Sequence, residues 1–282
     1  MAAFLERLAA ADRKLLWLDY TDYAGALLAG GAVPWLDLSA CLAWQRKAQS
    51  LLRSDVIAVP AAAICDAWLA AHPEDRAAMG EKQRVTYPLR TLVANVTLRA
   101  HLLELVCAVR ASFADRTLVL ACPSPRLWVG EAYGQAFGAD AHVEVEEDEA
   151  DSAAVYIADF LRSFGDAGVD ALLLEESTQS EPASAAGLAC YQPVLNVAAH
   201  YRWDVGLSVP GARYAGGEGG LAFVIAPHPL PGAHAGAVVP AAFWKGESPP
   251  DCPAGGFRYC RIPVDAAPEC VLDRLALLEV KQ

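Results

Sequence analysis

Positive charge is scarce in this sequence. Lysines and arginines number 22 against 34 aspartates and glutamates, giving a formal net charge of −12 and a pI near 4.9. Nucleic-acid backbones and anionic lipid surfaces are held by basic patches, so neither is expected as a partner. Long apolar runs are missing as well. No stretch reaches the roughly 20 uncharged apolar residues that a membrane-spanning helix requires. The opening segment MAAFLERLAAADRK carries acidic residues where a secretory signal has its apolar core. The expected location is therefore the cytoplasm. The eight cysteines include no CxxC pair and lie scattered among apolar residues. They are expected to be reduced thiols acting as small core residues.

Familiar catalytic signatures are also absent. The chain has no GxGxxG, no GxxxxGK[ST], no HExxH or HxH, and no GxSxG. These absences argue against a dinucleotide fold of the usual type, a phosphate-cradling P-loop, a zinc protease helix and a hydrolase nucleophile elbow. Nothing in the sequence assigns a metal or a cofactor.

The residues present describe a large apolar core. The chain has 282 residues, 55% of them hydrophobic, with a mean hydropathy of +0.24. That suits one α/β barrel over residues 1–282, since such barrels run to about 250 residues as a unit. Strand-like and helix-like patterns alternate. Lys14–Tyr20, Asp55–Pro60, Thr117–Ala121, Val169–Leu174, Asp204–Val209 and Leu221–Ala226 are short apolar runs expected as strands. Ala237–Phe243 and Tyr259–Val264 are weaker members of the series. Between them, Cys41, Trp44, Ala48, Leu51 and Leu52 mark one face of a helix, with Gln45 on the outside. Val93, Val96, Ala100, Leu103 and Cys107 mark another. Ala61–Ala71 and Ala185–Tyr201 also read as helices, and HPEDRAAMGEKQR after the former as an insertion above the barrel or a flexible segment. Six carboxylates between Glu144 and Asp151 read as a solvated loop opening a helix, capped by Asp148 or Asp151, and Gly168 suits a left-handed position at its end. The pattern predicts seven or eight strands and an α/β (β/α)8 TIM-type barrel in which individual strands can be irregular or reduced.

In such barrels the working residues sit where strands end and βα-loops begin. That rule selects Asp19, Tyr20, Asp22, Pro60, Asp66, Ser124, Arg126, Glu175, Glu176, Ser177, Ser208, His228 and Arg261. Glu175 and Glu176 rank first as catalytic groups. Strand neighbours point to opposite faces, so at most one enters the barrel mouth. A carboxyl losing solvation there gains a raised pKa suited to acid–base work. Asp19, Tyr20, Ser124, Arg126 and His228 are expected to bind substrate, Arg126 by gripping a carboxylate.

Three stretches resemble the uroporphyrinogen decarboxylase superfamily, which includes corrinoid-dependent methyltransferases and, more distantly, cobalamin-independent methionine synthase. They are the helix into Ser54–Pro60, the strand and Pro-containing turn of Thr117–Pro125, and the helix–strand–acid unit Phe164–Glu176. The family's RQAGR, GHG and HxC motifs have no counterpart here. The resemblance implies a barrel with its pocket at the strand ends and Glu175 at a position where the family often carries an acid. The expected function is an enzyme acting on a small or medium anionic organic substrate by lyase-type or methyltransferase chemistry. The alternative is a non-catalytic barrel that binds a ligand or a protein such as a corrinoid protein. A homo-oligomer is compatible with either.

Overall fold

A computed structural model describes residues 4–138, 140–177, 185–210, 220–227 and 234–279. Helix α1 (Phe4–Ala10) precedes strand β1 (Leu16–Asp19). Helices α2 (Thr21–Ala29) and α3 (Leu38–Leu52) lead to β2 (Val56–Pro60). Four helices, α4 (Ala61–Ala71), α5 (Pro73–Met79), α6 (Tyr87–Ala94) and α7 (Val96–Ser112), separate β2 from β3 (Thr117–Pro123). Next come α8 (Pro125–Phe137), α9 (Glu147–Arg162) and β4 (Ala171–Glu175), then α10 (Ala185–Ala189), α11 (Gln192–Tyr201) and β5 (Asp204–Ser208). Strands β6 (Phe223–Ala226) and β7 (His234–Val238) follow with no helix between them among the described residues. A 3-10 turn at Ala241–Lys245, β8 (Phe257–Arg261) and α12 (Pro268–Glu279) complete the chain.

All eight strands are parallel and form one sheet in the order β1-β8-β7-β6-β5-β4-β3-β2. Its two end strands meet at their bases. Asp55 N–H donates to the Leu16 carbonyl (3.0 Å), and Leu16 N–H donates to Asp55 Oδ2 (2.8 Å). The sheet is therefore a nearly closed TIM-type barrel, joined at the β1/β2 seam by one backbone bond and by the side chains of Asp55 and Ser54 instead of a ladder.

Alternation along the strands gives two cores. Inside the barrel, Trp17, Val119, Leu173, Phe223 and Phe257 pack together, and Phe4 of α1 plugs the floor. Its ring meets Phe223 edge-on at 4.8 Å and Phe257 at 5.1 Å. Leu5 N–H donates to Asp204 Oδ2 (2.8 Å), fixing α1 beneath β5. Gly206 makes room for this cluster, because a Cβ there would lie 2.0 Å from the Phe223 ring. The second core lies between strands and helices. At its base Asp170 is buried, accepts from Leu118 N–H (2.8 Å) and pairs with Arg110 (2.5 Å). Such a pair holds register where breaking it would strand a buried charge.

Several helical expectations need correction. The HPEDRAAMGEKQR segment is not a loose insertion: Pro73 opens α5, and Met79 is fully buried. The helix expected through Val93 and Val96 breaks at Asn95, whose side chain accepts from Leu98 N–H (3.0 Å) and caps α7 at a 59° bend. Leu98, Leu102, Leu105 and Val109 form the buried face of α7, and Val96 and Cys107 are exposed. Helix α9 is capped by Glu146 in a capping box with Glu149, so Asp148 sits in the first turn. Gly168 does adopt a left-handed φ of 76°. Tyr191 and Pro193 divide the Ala185–Tyr201 helix in two. Gln45 is buried, not outside. Four cysteines are core residues, Cys41, Cys65, Cys122 and Cys260, while Cys107 and Cys270 are exposed; all eight are free thiols.

Candidate active site at the strand carboxyl ends

The carboxyl ends of β1, β2, β4 and β8 surround a cavity of about 510 Å³. Its floor is the top of the barrel core, with Trp17, Ala121 and Leu173. Its walls carry Asp19, Glu175, Tyr259 and Arg261 from the strand ends, with Asp22, Asp66 and Glu131 from α2, α4 and α8. Alternation explains the strand contributions. Trp17 and Leu173 point into the barrel, so Asp19 and Glu175, two residues on, do the same.

Asp19 organises one side. Its Oδ2 accepts from Arg261 Nε (2.7 Å) and from the Tyr259 hydroxyl (3.1 Å). The register of β1 on β8 places Asp19 directly beside Arg261. The Asp19 charge raises the Arg261 pKa, so the guanidinium stays charged, and burial followed by Asp19 raises that of Tyr259, so the phenol stays protonated. Opposite them, burial and then the Asp19 charge push the Glu175 carboxyl up to about 7, against the opposing pull of Arg261. Glu131 is raised to about 7 by burial and then by Asp66 and Glu175. Glu131 is an exposed residue on the rim, so water screens its neighbours' charges and Glu175 is the better insulated of the two. Asp66 is raised by burial, with Arg76 opposing, and accepts a hydrogen bond from Gln135.

The residues singled out in the sequence divide into two groups. Asp19, Tyr20 and Glu175 line the cavity, and so do Asp22, Asp66 and Arg261. Glu176, Ser124 and Arg126 do not. Glu176 turns behind the wall, buried, and accepts from the Tyr191 hydroxyl (2.7 Å). Ser124 is fully buried and caps α8, accepting from Leu127 N–H (3.2 Å). Arg126 donates to the Val145 carbonyl and ties α8 to the chain before α9. His228 lies outside the described residues. Glu131 and Tyr259 complete the cavity without having been singled out. Tyr259 is two residues before Arg261 on the same strand face, which alternation could have revealed. Glu131 lies on a helix whose apolar residues follow no clear stripe.

Among the described lining residues the charge balance is acidic. Five carboxyl groups line the mouth, and Arg261 is the one cation among the described lining residues, already held by Asp19. The described lining thus presents more carboxyl groups than cations to an entering molecule. Among the described residues no group of three or more His, Cys, Asp and Glu side chains is placed to hold a metal ion. None of the described helices is by itself long and apolar enough to cross a membrane.

No family model matches the chain, and no curated protein is significantly similar to it. The TIM-type barrel stands on its eight parallel strands; the resemblance to the uroporphyrinogen decarboxylase superfamily finds no support beyond that fold.

Proposed function

We propose that this barrel is an acid–base enzyme of lyase type acting on a small uncharged or cationic organic molecule, with Glu175 as the proton-transferring group. The observation that carries this reading is the convergence of Asp19, Glu175, Tyr259 and Arg261 on one strand-end cavity. A barrel serving only to bind a partner has no need of half-buried carboxyls such as Asp19 and Glu175 above an apolar floor. A carboxyl titrating near neutrality is present in both forms at pH 7, so it can take a proton from a carbon or oxygen acid and return it. Arg261, held by Asp19 through Nε, keeps its terminal N–H groups to offer to an oxygen that gains negative charge as that proton leaves, and the Tyr259 hydroxyl, donating to Asp19, helps fix that carboxylate.

A thermal-shift screen tests the reading. Polyols, amines, amino alcohols and small carboxylic acids would be compared on wild-type protein and on Glu175→Gln. A ligand present at 100 times its Kd raises stability by about 2.7 kcal/mol. Uncharged or cationic compounds should stabilise the wild type, and Glu175→Gln should lose most of that shift. Stabilisation by carboxylic acids alone would overturn the assignment.

A further inference from the structure

The cavity is wider than the barrel mouth. Leu18 and Tyr20 belong to the core between strands and helices, and Gln45 is a buried residue of α3 behind the wall. These three border the same cavity as Asp19, Ala58 and Glu175 on the barrel side. A continuous ladder between β1 and β2 would separate the two groups. The sheet has none there. Leu18 N–H is taken by Ser54 Oγ (3.0 Å), which donates to the carbonyl of Val56, two residues on at the start of β2 (2.7 Å), so a side chain stands where a strand-to-strand bond would be. The seam is stitched at its base and open above it.

Gln45 stands at the end of this opening, 5% exposed, and its Nε2 donates to the Tyr20 hydroxyl (2.7 Å). A carboxamide has two N–H donors and a carbonyl acceptor, and that bond uses one donor. The carboxamide oxygen has no protein partner among the described residues and is not one of the buried orphan atoms, so on a residue that borders the cavity it stays reachable from the seam, and a group entering there finds hydrogen-bonding capacity waiting. Both side chains are uncharged: burial, then the Asp19 charge, raise the Tyr20 phenol well out of the physiological range. A neutral group with donor and acceptor together, a hydroxyl or a carboxamide, matches them. A bare charge does not.

We infer that the β1/β2 seam is a side subsite of the active-site cavity, in which Gln45 and Tyr20 bind a hydroxyl or carboxamide group of the same molecule that reacts at Glu175. The inference rests on the reading of Glu175 as the proton-transferring group, and it makes Gln45 a determinant of specificity instead of a buried structural residue.

The test uses the full chain, isotope-labelled, titrated with glycerol, xylitol, sorbitol and malonamide and followed by nuclear magnetic resonance. The expected result is that the Gln45 side-chain amide and the Glu175 Cδ resonances shift along one binding curve. Gln45→Met, with its melting temperature checked against wild type, should then lose about tenfold in affinity for the tightest of these probes, the loss expected for an ordinary hydrogen bond. If Glu175 responds while Gln45 stays silent, the cavity binds but the side subsite is wrong. If neither responds to any probe, the acid–base reading falls and the subsite falls with it. Should Gln45→Met fail to fold, the wild-type resonances alone decide between these outcomes.

Discussion

Two adjacent glutamates at the end of β4 show how one residue step separates function from structure. Glu175 faces the cavity; Glu176 faces the helices and is satisfied by Tyr191. Burial near Asp19 lifts the Glu175 carboxyl from 4.5 to about 7. The folded protein therefore holds a proton there that the unfolded chain releases between those two values. The resulting stability is complete below about 4.5 and is lost as pH rises through about 7, the opposite of a salt-bridged carboxylate. Glu175→Gln mimics the protonated form at every pH. It should raise stability at pH 8 by on the order of 3 kcal/mol and leave it nearly unchanged at pH 4, as read by urea unfolding at both. A gain of that sign is common where an active site carries a cost in stability. Equal urea midpoints for wild type and variant at pH 8 would show that Glu175 is solvated like any surface carboxylate.

At the level of the elements, strands close on one another only where small residues let large ones in. A Cβ at Gly206 on β5 would lie 2.0 Å from the Phe223 ring on β6, in the barrel interior, where nothing can yield without moving the aromatic cluster. Gly206→Ala should cost about 1–3 kcal/mol from overpacking. Gly130 on α8 is the matched control. A Cβ there meets no atom within 4 Å, so Gly130→Ala should stabilise by up to about 1 kcal/mol through helix propensity alone. Thermal melts of the two variants should move in opposite directions. The same physics decided what was legible in the sequence. Strands buried on both faces are continuous apolar runs, so β2, β3 and β4 could be found within a residue or two. Asp19 and Glu175 followed from strand ends. Helix α8 could not be found that way, because Trp128, Val129 and Ala132 are buried without forming a sustained stripe, and Glu131 was hidden with it. On α7 the leucines and valines nearly encircle the helix, and periodicity alone chose the wrong face. Arg126 donates to the Val145 carbonyl and does not line this cavity, because a strand-end position does not say which way a helix's first turn aims its side chain.

Across the whole molecule, stability and chemistry occupy opposite ends of the barrel. The floor is closed by α1, where Phe4 is fully buried against Phe223 and Phe257. Phe4→Ala should destabilise by about 3–5 kcal/mol, since it removes a ring from a close-packed interior. Ligand binding at the mouth should survive in the folded fraction, because Trp17 and the layers above it stand between the two. Among the described residues the mouth concentrates acidic groups around one paired arginine, Arg261, and the unladdered seam beside it widens the space available to a ligand. Everything proposed for that mouth depends on one group holding its proton near neutrality. The most direct measurement is the titration of the Glu175 Cδ resonance in carbon-13-labelled wild-type protein, assigned by comparison with Glu175→Gln. A midpoint near 7 is the expected result; a midpoint at the ordinary glutamate value of about 4.3 would contradict the account.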